Sequence, residues 1–311
     1  MLLTTEKITY LSTDGINTIC GFAVYPENPK MIVQIAHGIA EHSARYLDFA
    51  RALAERGIAV FAEDHLGHGE TANAKEKLGW FAEKDGWQTV INDILTLKSI
   101  AKEKFPNIPF VLMGHSMGSF LARNIAILKS NEIDALVLSG TGNQAPPVIA
   151  VGKIAAKLEG WRLGSPNKGS QLINNLAFSA YNKKFAPNKT PYDWLSNDLA
   201  EIEKYVLDEK CGFLPTPSIF YDMLCGLSVI GKKSEVAKVR PNLPILLFSG
   251  DKDPVGAMGK GVNAVYNLYK KSGLQNVTLK LYKGGRHELL NDSYKDEVIN
   301  DLCNWLDENV K

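Results

Sequence analysis

The sequence has no uninterrupted apolar run of roughly 18 to 20 residues, the length a membrane-spanning helix needs. Its first residues, Met1 to Tyr10, are polar and acidic and hold no apolar segment of the kind a secretory leader carries. Neither sign of charge dominates: 35 basic and 34 acidic residues leave a formal net charge of +1. No basic stripe is present, which argues against a nucleic-acid binder. Cysteine is scarce. Cys20, Cys211, Cys225 and Cys303 form no C-x-x-C pair, so neither a disulfide framework nor a zinc site is indicated. Free thiols suit a reducing interior, and the expected location is cytoplasmic. There is no internal repeat and no low-complexity tract.

What is present is an alternation of short apolar runs with amphipathic stretches. Lys7–Leu11 and Thr18–Tyr25 read as two strands joined through the Asp14-Gly15 turn. Met31–Ala36, Ile58–Ala62, Phe110–Met113 and Ala135–Leu138 read as strands, separated by helical stretches at Ala44–Glu55, Trp87–Lys104 and Ser119–Lys129. The pattern returns at Ile245–Phe248, Gly259–Lys271, Val277–Tyr282 and Ser293–Glu308. Strands alternating with helices predict an α/β fold with a mostly parallel sheet covered on both faces. Residues 141–241 break the alternation with prolines, aromatics and helical patches. They read as a cap inserted into a core made of residues 1–140 and 242–311.

One motif carries the chemistry. Gly114-His115-Ser116-Met117-Gly118 is a G-x-S-x-G pattern between a strand and a helix. That context describes a nucleophile elbow: a sharp turn lifts the serine hydroxyl clear and aims the next helix's amides at the reacting oxygen. Such a serine needs a base, and the base needs a carboxylate. His287 is the only histidine after Ser116, and it follows the strand Val277–Tyr282. After the preceding strand come Asp251 and Asp253. Asp253 is the preferred acid, Asp251 suits a turn, and Asp222 is a weaker third choice. The two oxyanion donors are expected to be the amides of Met117 and Ile39, the latter in the loop His37-Gly38-Ile39-Ala40-Glu41-His42. His37, His42, His65 and His68 sit in glycine-bearing loops with no H-E-x-x-H helix, so they read as loop-shaping groups and not as metal ligands.

These segments occur together and in order, with Asp64-His65-Leu66-Gly67-His68-Gly69 between the first two. In that combination the chain resembles the monoacylglycerol lipase and lysophospholipase-like branch of the α/β hydrolases. The resemblance implies Ser116, Asp253 and His287 as a catalytic triad, with Ile39 and Met117 as oxyanion donors. It also implies a small acyl ester as substrate, such as a monoacylglycerol or lysophospholipid. The chemistry needs no metal and no organic cofactor. An aromatic, apolar cap suits an acyl chain, and contact with a membrane is expected to be peripheral at most, because no long basic amphipathic helix is present. Four alternatives remain open at this level, one of them a cofactor-free haloperoxidase-like enzyme, which would share the triad. A thioesterase would share the triad. An aminopeptidase would need a cap carboxylate to hold an amine, for which Glu159, Asp193, Asp198, Glu201 and Glu203 are candidates. A non-catalytic receptor would use the scaffold without the reaction.

Overall fold

Four six-residue runs are buried at every position and form the middle of the sheet: β3 (Met31–Ala36), β4 (Ile58–Glu63), β5 (Phe110–His115) and β7 (Ile245–Gly250). Burial on both faces is what a parallel strand between helical layers requires, and it explains their predominantly apolar character, with Gln34, Glu63, His115 and Ser249 as the buried polar exceptions. The computed structural model describes residues 2–311 and adds β1 (Leu3–Leu11), β2 (Thr18–Pro26), β6 (Ala135–Ser139) and β8 (Val277–Tyr282). The eight strands lie in the order β1-β2-β4-β3-β5-β6-β7-β8. All neighbours from β4 to β8 are parallel, while β1 and β2 form an antiparallel hairpin on one edge. β1 starts four residues earlier than the alternation predicts, with Leu3 opposite Pro26. Its outer face is largely exposed, so Thr4, Thr5 and Glu6 carry no apolar signal.

The helices are α1 (Leu47–Ala54), α2 (Gly86–Lys104), α3 (Met117–Lys129), α9 (Lys260–Lys271) and α10 (Lys295–Asn309) around the sheet. Between β6 and β7 lie α4 (Pro146–Arg162), α5 (Gln171–Asn182), α6 (Leu199–Leu207), α7 (Pro217–Ile230) and the short α8 (Lys233–Val236). Local chemistry marks their starts. Ser170, Asp198 and Thr216 each accept a hydrogen bond from the first turn of the helix that follows, and Pro217 occupies the first helical position of α7. α1 begins at Leu47 instead of Ala44, because Ser43–Tyr46 wind as a 3-10 turn. α3 begins at Met117, two residues before the expected start, directly at the serine.

The inserted segment has two characters. Ile219, Leu227 and Ile230 of α7 belong to the same apolar cluster as the residues under α2 and α3. Trp194, Leu195, Tyr205 and Cys211 instead make a small cluster of their own with Phe178 and Tyr181. Among the described residues, no helix is long and apolar enough to cross a membrane.

Candidate active site

The C-terminal ends of the parallel strands bring the predicted residues to one place, as open α/β sheets do. Ser116 stands between β5 and α3 at φ +52°, ψ −120°, backbone torsions that a non-glycine residue holds only when its surroundings enforce them. The enforcement is visible. A Cβ on Gly114 would overlap the Gly118 carbonyl, and one on Gly118 would overlap the Ala36 carbonyl, so both glycines are needed for the turn to close against β3. The Ser116 amide donates to the Ser139 carbonyl at 3.0 Å, which ties the turn to β6. Met117 opens α3, and its amide has no intrahelical acceptor.

The loop after β3 is braced from three directions. The Gly38 amide donates to Glu41 Oε1 at 2.6 Å, which leaves Ile39 as the next amide in the loop. Ala40 holds φ +58°, and its carbonyl accepts from the Gly212 amide at 2.9 Å and the Tyr205 hydroxyl at 2.8 Å. His37 Nε2 accepts the His65 amide at 3.0 Å, so Nδ1 carries the proton and donates to the Gly38 carbonyl at 2.7 Å. Its ring stacks on His65, 4.1 Å between centroids. Burial and its histidine neighbours push the His37 pKa well below the ordinary value, so this brace is neutral.

His287 sits in the loop after β8, 2 % exposed, with Nδ1 3.0 Å from Asp253 Oδ2. The contact is close, but Nδ1 has no well-aligned hydrogen-bond acceptor. Asp253 is fully buried and oriented by the Ser249 hydroxyl at 3.0 Å and the Val255 amide at 2.8 Å. Asp251 spends a carboxylate oxygen on the Gly284 amide at 2.8 Å, a turn role. Asp222 lines a separate cavity with Asp85 and Trp87, where burial and the charge of Asp85 push its pKa up to about 6.

Burial alone would depress the His287 pKa. The Asp253 carboxylate overrides that, with smaller help from Glu288 and Glu41, and the net direction is upward. His115, 4.6 Å from the His287 ring, is driven the other way by burial and stays neutral. Gly140, at φ +56°, faces both rings: a Cβ there would lie 2.9 Å from His287 Cε1 and 3.1 Å from His115 Cε1.

A buried ionic network that sequence spacing does not reveal joins the two loops. Arg45 donates to Glu288 with both guanidinium ends, at 2.7 and 2.5 Å, and to Glu41 Oε2 at 2.8 Å. Glu41 also accepts from the Tyr46 hydroxyl at 2.9 Å. The Arg45 guanidinium lies 4.9 Å from the centre of the Tyr205 ring on α6. The partners of Arg45 are 4 and 243 residues away, and only the first separation is a helical spacing a reader could exploit.

Two cavities meet at Ser116 and Ile39. One, about 260 Å³, is walled by Phe120, Val148, Leu176, Phe220, Met223 and Leu224. The other, about 320 Å³, holds His287 and offers Gln171, Asn174, Asn175, Ser179 and Asn182. None of Glu159, Asp193, Asp198, Glu201 and Glu203 lines either cavity. Glu159 pairs with Arg162, and Asp193 accepts from the Lys189 and Thr190 amides.

Residues 27–294 match the hydrolase family model described as serine aminopeptidase, S33. A carboxyl esterase structure from Bacillus coagulans, in complex with glycerol, is similar at 30 % identity and a TM-score of 0.91, covering 99 % of each chain. A monoacylglycerol lipase of Mycolicibacterium smegmatis is 27 % identical over 97 % of each chain, and a monoglyceride lipase of Rattus norvegicus is 25 % identical over 96 % of this chain and 90 % of its own. The family match runs from before β3 to beyond His287, so the chain belongs to this hydrolase family and is an α/β-hydrolase enzyme of the monoacylglycerol-lipase-like kind.

Proposed function

We propose that the chain hydrolyses small carboxylic esters of fatty acids, monoacylglycerols or lysophospholipids among them, through an acyl-enzyme on Ser116. Ser116 Oγ attacks the ester carbonyl while His287 takes its proton. Asp253 fixes the imidazole tautomer and stabilises the imidazolium. The Ile39 and Met117 amides hold the oxyanion. His287 then protonates the leaving alcohol, and water repeats the sequence on the acyl-enzyme. Every proton and bond is accounted for by these side chains and water, so the scheme calls for no metal and no organic cofactor.

The observation that carries this reading is the meeting at one serine of an apolar cavity and a second cavity of mixed lining, where Gln171, Asn174, Asn175, Ser179 and Asn182 stand beside Phe178, Trp194 and Phe213. An acyl chain suits the first and a hydroxylated alcohol the second. The similar proteins named lipase and esterase support it. The amine-binding alternative is weakened by the absence of every candidate cap carboxylate from the lining of both cavities, and Glu41 and Glu288, which do reach the second one, are taken by Arg45. Residues 141–241 act in this reading as a cap over the serine. Contact with a lipid surface is at most peripheral, through the exposed Val151, Ile154, Leu158 and Trp161 of α4. Four free thiols favour a reducing, cytoplasmic setting.

The test is turnover of p-nitrophenyl esters from acetate to palmitate by wild type and Ser116→Ala. Each methylene that enters the apolar cavity is worth about 0.8 kcal/mol, or roughly a fourfold rise in kcat/KM, until the cavity is full. The alanine variant should lose about 10⁶-fold in kcat. Hydrolysis that ignores chain length would remove the acyl assignment, and hydrolysis that survives the substitution would remove Ser116.

A further inference from the structure

Three side chains with no part in the proposed reaction converge beside the oxyanion loop. His42 closes that loop. Asp208 ends α6, and Cys211 follows three residues later in a turn closed by its amide on the Asp208 carbonyl at 3.0 Å. His42 Nε2 and Asp208 Oδ2 are 2.8 Å apart, and the Cys211 sulfur lies within 4.8 Å of both. The carboxylate is aimed: Asp208 Oδ1 is occupied by the Lys210 amide at 2.8 Å, which turns Oδ2 toward His42. A ligand-bearing turn facing a histidine from another element is how small metal sites are assembled. Orientation of a ligand through its second oxygen is the usual outer-sphere support.

The donor set selects the ion. One imidazole nitrogen, one carboxylate oxygen and one thiolate suit a borderline-soft cation that accepts tetrahedral coordination, which is Zn²⁺ with water in the fourth position. Calcium and magnesium would ask for oxygen ligands throughout. A route in exists. A cleft of about 400 Å³ reaches His42 and Asp208, and its lining holds Asp48, Asp198, Glu201 and Asp292 besides Asp208, more carboxylates than cations.

We propose that His42, Asp208 and Cys211 form a Zn²⁺ site that clamps the helical insertion to the oxyanion loop. On binding, the Cys211 thiol gives up its proton to solvent and the sulfur takes the metal; the hydrogen bond between His42 Nε2 and Asp208 Oδ2 breaks, its proton moves to Nδ1 or to solvent, and the metal stands between the freed nitrogen and the carboxylate oxygen. The turn that carries Cys211 already bonds the loop through the Gly212 amide on the Ala40 carbonyl, and the metal adds a second tie between the same segments. Zn²⁺ should therefore raise the melting temperature and slow turnover without touching Ser116. The turnover effect rests on the esterase reading; binding does not.

Binding is accordingly measured first. Co²⁺ is titrated as a spectroscopic stand-in for Zn²⁺, and Zn²⁺ is titrated by calorimetry, on wild type, Cys211→Ser, Asp208→Asn and His287→Gln, each checked for folding by circular dichroism. The expected result is one ion per chain with a thiolate-to-cobalt charge-transfer band. The band disappears in Cys211→Ser, affinity drops at least about tenfold in Asp208→Asn, and His287→Gln binds as wild type does. No band on wild type, or equal affinity in Cys211→Ser, overturns the proposal. Loss of binding in His287→Gln instead assigns the ion to the His287–Asp253 pair and overturns it as well.

Discussion

Replacing Arg45 by methionine tests the buried network directly. The guanidinium side chain is 10 % exposed, and its partners Glu41 and Glu288 are 3 % and 6 % exposed, so little solvent screening is available. Methionine keeps most of the volume and removes the charge, leaving two carboxylates buried beside each other. Removing one partner of a buried ion pair costs about 3–5 kcal/mol. That should appear as an equal fall in the urea-unfolding free energy at pH 8. The pH dependence identifies the cause. Without Arg45, burial and mutual repulsion raise both carboxyl pKa values above their unfolded value, so the folded variant binds more protons than the unfolded chain. Stability then falls as pH rises through the folded pKa values, and the deficit against wild type should shrink between pH 8 and pH 5. A loss under about 1 kcal/mol, or a deficit that is the same at both pH values, would refute the reasoning. The first would say that water reaches the network; the second would say that the loss is packing against Tyr205 and not charge.

Further outcomes follow from the same geometry. In the proposed reaction His287 must be neutral to act as base, and Asp253 holds its pKa above the ordinary 6.5, so kcat/KM should rise with pH through a midpoint above 6.5. Asp253→Asn removes the raising charge and leaves burial in control, so its residual activity, down about 10⁴-fold in kcat, should show a lower midpoint; an unchanged midpoint would separate Asp253 from the base. Gly140→Ala puts a methyl group against the His287 and His115 rings at a left-handed position, and it should cut kcat by about a hundredfold or more with a modest loss of melting temperature. Wild-type kcat in a folded Gly140→Ala variant would show that the imidazole does not need its present seat.

The middle of the sheet was legible in the residue pattern alone. β3, β4, β5 and β7 are predominantly apolar because both their faces are buried, and a pattern of that kind survives without any knowledge of neighbours. Where the serine stands was legible too, because the glycines at 114 and 118 are local requirements of one turn. The start of β1 was not legible, since an exposed edge strand pairs through its backbone and asks little of its side chains. Folding alone fixes whatever depends on distant segments meeting: the 3.0 Å approach of Asp253 to His287, the clamp of Arg45 on Glu288, the two cavities at Ser116, and the approach of His42 to Asp208 across 166 residues. The physical reason is common to all of these. Periodicity records which face of an element is buried, whereas a polar contact is set by the distance and direction between two elements, and these are fixed only when the chain has folded.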